Sequence, residues 1–84
     1  MRPYAVFINE LALAAAPRSG VQRANLLKFI RSLADQPNLT GDFTEHDHAG
    51  RTVQVKVVGF HAVTFWADHA AAEIKVTHIK LADK

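Results

Sequence analysis

Polar and apolar residues alternate with a period of two through most of the C-terminal half of this chain. The clearest stretch is Thr52-Val53-Gln54-Val55-Lys56-Val57. Such alternation marks a strand with one buried and one solvated face. Four strand-like runs follow one another closely, over residues 41–48, 51–58, 60–69 and 73–81. A fifth, residues 4–8, stands near the start; Pro3 before it suits an edge position. Between the first run and the rest the period changes to three and four. Residues 10–16 are rich in Ala and Leu and read as a short helix, interrupted by Pro17-Arg18-Ser19-Gly20. A main helix is predicted from residue 19 or 20 to residue 35. Its stripe is Val21, Ala24, Leu27, Ile30, Leu33 and Ala34, widened by Leu26 and Phe29. Gln36-Pro37-Asn38 ends it.

The turns fix which side chains share a face. Ala49-Gly50 suits a two-residue hairpin turn, which pairs Thr44 with Val55 and His46 with Val53. Val53, Val55 and Val57 then face the helices. Thr52, Gln54 and Lys56 share the other face with Phe43, Glu45 and Asp47. The next turn lies near Val58-Gly59. A two-residue loop there sends Phe60, Ala62, Thr64 and Trp66 to the valine face, and His61, Val63 and Phe65 to the face of Lys56; a three-residue loop reverses this. The last run changes parity. Ile74 and Val76 point one way and Ile79 and Leu81 the other, so a bulge is expected near Thr77-His78. The expected fold is α+β: one domain over residues 1–84, with a twisted antiparallel sheet and N-terminal helices packed on one face.

Composition narrows the function classes. Apolar residues make up 49% and the net charge is +2, with no cysteine. Disulfides and thiolate metal sites are excluded. The pI near 9.3 is mildly basic, short of a dense nucleic-acid-binding stripe. The N-terminal apolar run is too short for a signal peptide or membrane span, so a cytoplasmic protein is expected. The five histidines all lie in the sheet half.

The uncovered sheet face is the natural place for chemistry. In this register it carries Glu45, Asp47, Gln54, Lys56 and His61. Arg51 stands at its margin, and His78 and Lys80 lie on the last strand. A carboxylate, imidazoles and cations within reach can act on a phosphodiester: a base takes a 2′-hydroxyl proton, an acid protonates the leaving oxygen, and a cation holds the phosphate. Glu45, Lys56, His61 and His78 are the candidate catalytic groups. Arg51, Gln54, Lys80 and Lys84 are candidates for holding RNA or phosphate. A solvated, non-catalytic face is the alternative. His46 and His48 lie roughly 7 Å apart along a strand with no third ligand in view, so no metal is expected, and no cofactor. Phe65 and Trp66 face opposite ways; one belongs to the core. Phe60 is expected in the core as well. Val63, Phe65 and the segment 11–16 are candidate exposed apolar surface for a partner.

The order strand, two helices, then Gly-Asp-Phe and the run from Gly50 to Asp83 resembles the RelE/ParE superfamily of type II toxins. The sharpest part is Val55 to Trp66, a valine strand, a glycine turn, an aromatic, then Val63 and Phe65. This resemblance implies a small α+β fold and a cognate antitoxin partner. It also implies one of two activities: mRNA cleavage in the ribosome, or non-nucleolytic inhibition of DNA gyrase. A homologue that only binds a partner is a third reading. Where many cleaving members carry Arg after the aromatic, this chain has His61. Where they alternate lysines it has Thr52 and Gln54, and its C-terminal basic element is His78, Lys80 and Lys84.

Overall fold

The computed structural model describes residues 2–82. Strand β1 (Ala5–Ile8) leads into helix α1 (Glu10–Ala15) and helix α2 (Gly20–Ser32), which tightens into a 3-10 turn over Leu33–Asp35. Strands β2 (Phe43–His46), β3 (Thr52–Val58), β4 (His61–Asp68) and β5 (Glu73–Leu81) follow. They form one sheet in the order β1-β5-β4-β3-β2. The fold is α+β as expected, but the sheet is mixed. β1 runs parallel to β5, because two helices carry the chain back before the strands resume. No helix among the described residues is long and apolar enough to cross a membrane.

Local chemistry sets the element ends. The Asn9 side chain accepts hydrogen bonds from the Leu11 and Ala12 amides, at 2.8 and 3.3 Å, so α1 begins where β1 stops. Pro37 follows the 3-10 turn and blocks further helix. The buried helix residues are Ala12, Ala16, Leu26, Ile30 and Leu33. The stripe of α2 thus centres on Leu26, Phe29, Ile30 and Leu33. Val21 at its start is 73% exposed, so the expected N-terminal part of the stripe is corrected: the first turn of α2 overhangs the sheet.

The helices cover the face built from Val63 and Phe65 of β4 and Ile74, Val76 and Ile79 of β5. Phe29 meets Phe65 edge to face, with ring centroids 6.0 Å apart. Each such burial contributes roughly 1.5–3 kcal/mol. This inverts the expected assignment. The valine face of β3 is the uncovered one, and the face of Val63 and Phe65 is core. Val63 and Phe65, at 0% and 3% exposure, are therefore no surface for a partner. Phe60, expected in the core, is 68% exposed at a turn tip.

Both hairpin turns differ from expectation, with different consequences. The β2–β3 loop closes at Asp47 and Arg51, whose amide and carbonyl bond at 2.9 Å, leaving three residues between. Gly50 has φ +76°, the left-handed conformation that such a three-residue loop needs. The register slips by one: Phe43 lies opposite Val55, Thr44 opposite Gln54, Glu45 opposite Val53 and His46 opposite Thr52. Glu45 thereby joins the valine face. The β3–β4 turn is a two-residue loop at Gly59-Phe60, one residue later than expected, and the faces of β4 stand as the two-residue reading has them. Gly41 packs on β3 so closely that a Cβ would overlap the Val55 backbone.

The expected bulge is present. Val76 lies opposite Phe65 and His78 opposite Thr64, so Thr77 has no partner on β4. It returns Ile79 to the face of Ile74 and Val76. Thr77 is the extra residue, so deleting it should leave a regular strand with Val76, His78 and Ile79 on the faces they already occupy. The deletion is expected to keep a cooperative thermal transition seen by circular dichroism, as is Thr77→Val. Loss of that transition in the deletion would contradict this reading of the bulge.

Candidate active site

The uncovered face is built from rows of side chains crossing the strands. Phe43, Val55, Thr64 and His78 form one row, each opposite the next. Val57, Ala62 and Lys80 form another. Glu45 stands opposite Val53. Neighbours within a row have Cβ atoms about 4.5–5.5 Å apart.

A cleft of about 270 Å³ opens on this face. Glu45 and the hairpin residues His46, Asp47 and His48 line one side; Thr77, His78 and Lys80 line the other. Val53 and Thr64 form its floor and are only 3% and 5% exposed although no helix covers them. A smaller hollow of about 170 Å³ adjoins it and shares Glu45 and Lys80. Its other walls are apolar, among them Phe43, Val57 and Leu81. The His78 ring Nδ1 lies 3.1 Å from the Thr77 hydroxyl.

Cations around the sheet differ in their freedom. Arg51 pairs with Asp47 at 3.2 Å, Lys56 with Asp42 at 3.1 Å and Lys75 with Glu73 at 3.0 Å. The Arg51 guanidinium also lies 3.9 Å above the Trp66 ring. Lys80 makes no ion pair among the described residues.

The structure thus brings together only part of the expected set. Glu45, His78 and Lys80 line one cleft. Lys56 and Gln54 lie on the opposite face. There the Gln54 carbonyl oxygen accepts the Gly41 amide at 2.8 Å, and Asp42 holds Lys56. His61 is on that face too and is 8% exposed. The catalytic placing of Lys56 and His61 beside Glu45 is corrected, because the one-residue slip carries Glu45 to the other side. Arg51 stays at the margin, held by Asp47 and Trp66. Lys84 lies outside the described residues. Thr64 and Thr77 line the cleft without having been singled out. The bulge, once seen, points to Thr77; for Thr64 the signal was its alternation with Ala62 and Trp66.

Two carboxylates are strongly solvated by backbone. The Val57 amide, then the Lys56 ammonium, hold the Asp42 carboxyl below the usual carboxylate range, against some desolvation. The Arg51 amide does the same for Asp47, helped by the Ala49 amide and the Arg51 charge. A lowered pKa makes each a weaker proton acceptor than an ordinary carboxylate. Among the described residues no three His, Asp or Glu side chains are grouped to hold a metal ion.

No protein-family model, no curated protein and no solved structure matches the chain.

The Nδ1 atom of His61 is buried with no hydrogen-bond partner among the described residues. An unpaired buried polar atom costs about 1–3 kcal/mol. His61→Leu is therefore expected to raise the melting temperature, by about 4–8 °C for each kcal/mol in a domain of this size. A lower melting temperature would show that the imidazole holds something the apolar side chain cannot. Asp42 has a lower pKa folded than unfolded. It adds stability above the ordinary aspartate value of about 3.9, and that contribution is lost as pH falls through the folded value. Asp42→Asn should flatten the acid limb of a melting-temperature-against-pH curve below about pH 4. An identical acid limb in the variant would remove Asp42 from the account.

Proposed function

We propose that this chain is a RelE/ParE-like toxin of a type II toxin–antitoxin pair that cleaves mRNA in the ribosome. The observation that carries the reading is the meeting of Glu45, His78 and Lys80 in one cleft on the uncovered sheet face. The element order of strand, two helices and four antiparallel strands supports it. Glu45 takes the proton of a ribose 2′-hydroxyl. The freed oxygen attacks the adjacent phosphorus, and Lys80 stabilises the charge that builds on the phosphoryl oxygens. His78 gives a proton to the departing 5′-oxygen. The products are a cyclic phosphate and a 5′-hydroxyl end. The step needs neither metal nor cofactor. The partners in this reading are the ribosome with its mRNA, and a cognate antitoxin.

A second reading is a non-nucleolytic member that works by binding, as a gyrase inhibitor or a partner-binding homologue. The exposed apolar side chains favour it: Leu11 is 81% exposed, Leu81 70% and Phe60 68%. Val63 and Phe65 are excluded from such a surface by their burial.

Primer-extension mapping of cellular mRNA after brief induced expression separates the readings. The nuclease reading expects new cuts within translated frames. Glu45→Gln and His78→Ala should each weaken them by about 10²–10⁴-fold, and Lys80→Ala by about 10²–10³-fold. Cuts that persist in all three variants would sink the cleft assignment. Growth arrest with intact mRNA would move the function to gyrase, and harmless expression to a binding homologue.

A further inference from the structure

β1 covers only half of β5. Its four residues pair with the stretch from Glu73 to Val76, and the last link is the Asn9 amide on the Val76 carbonyl at 2.9 Å. Asn9 then caps α1, and the chain leaves the sheet. Beyond Val76, β5 continues to Leu81 against β4. On its other side, among the described residues, no strand pairs with it. In an antiparallel ladder the N–H and C=O of alternate residues point away from the partner strand. Residues 77–81 therefore present a free hydrogen-bonding edge of about 17 Å.

The surroundings of this edge are two-sided. A hollow of about 360 Å³ runs along it on the helix side, walled by Asn9 and by Leu11, Ala12 and Ala15 of α1, with Thr77, His78 and Ile79 along the β5 edge. Leu11 is 81% exposed, the most exposed of the large apolar side chains among the described residues. On the other side of the sheet stands Lys80, while His78 at the edge borders both this hollow and the cleft.

We propose that this edge receives an extended peptide strand from a partner protein, with aliphatic and acidic side chains in alternation. The period of two carries the assignment. Side chains on one face of the added strand would fall on Leu11 and Ala15. Those on the other would fall beside His78 and Lys80. Lys80 has no counter-ion among the described residues, so a carboxylate there completes a pair rather than displacing one. The bulge at Thr77 and the charge of Lys80 also discourage indiscriminate pairing with another apolar edge. They restrict the site to a strand of matching charge. The β2 edge offers no such seat on the helix side, where its side chains are Thr44 and His46. Main-chain bonds would give affinity and the alternating side chains specificity. The inference stands on topology and does not depend on the nuclease reading.

The test uses the full chain, isotopically labelled, and a capped peptide of alternating Glu and Val one strand long. Amide shifts are expected at residues 77–81 and along α1, with slowed hydrogen exchange at alternate residues of that stretch. A peptide with Lys in place of Glu should bind severalfold more weakly. Lys80→Glu, a change at an exposed position, should reverse that preference. A Glu-Val peptide methylated at alternate backbone nitrogens should not bind. Equal binding by the methylated peptide would overturn the strand-addition geometry. Shifts confined to β2, no preference between Glu and Lys peptides, or self-association of the chain through this edge would each overturn the proposed occupant.

Discussion

Thr77 stands unpaired between Val76, opposite Phe65, and His78, opposite Thr64. That extra residue decides what each side of the sheet contains. Upstream of it, Ile74 and Val76 pack under the helices. Were Thr77 paired as a regular strand residue, strict alternation would send His78 and Lys80 beneath α1, and Ile79 and Leu81 out to the opposite face. With the bulge, one strand supplies aliphatic side chains to the core along its whole length and keeps His78 and Lys80 on the uncovered face. Core packing and candidate chemistry therefore depend on the same local irregularity, a common role for bulges near functional sites.

The charges around the sheet divide by the same logic. Asp42, Asp47 and Glu73 each hold a cation close to where a turn or strand end needs it. Exposed pairs of this kind add little stability, and their main effect is to fix side-chain positions. They also take Arg51, Lys56 and Lys75 out of contention for a ligand. Lys80 keeps no ion pair among the described residues, and His78 and Glu45 stand with it around the floor of Val53 and Thr64.

Much of the fold was legible because periodicity is a strong signal over long elements. β5 stands at the expected residues with its bulge, and the helical region stops before Pro37 as expected. What failed was decided by single residues in turns. Asp47 accepts hydrogen bonds from the Ala49 and Arg51 amides, each at 2.9 Å, and this stabilises a three-residue loop over the tighter two-residue one. One residue of slip moved Glu45 across the sheet and separated it from Lys56 and His61. The choice of covered face also lay beyond the pattern. Val53, Val55 and Val57 look like a core face, yet Val63, Phe65 and Ile79 offer more bulk to the helices. Phe60 shows the limit of reading hydrophobicity alone, since a turn tip exposes whatever residue it carries.

The parallel pairing of β1 with β5 joins residues 5–8 to residues 73–76. β5 follows every other described element, yet β1, β4 and α1 all rest on it. No earlier segment can complete the sheet or close the core before β5 has been made. Contacts this distant in sequence also form slowly, because loop closure must precede them. Until β5 pairs, the helices lack Ile74, Val76 and Ile79, the β5 part of the face they cover. The cleft, whose second wall is His78 and Lys80, comes into being only with the last strand, so the site and the fold are acquired together.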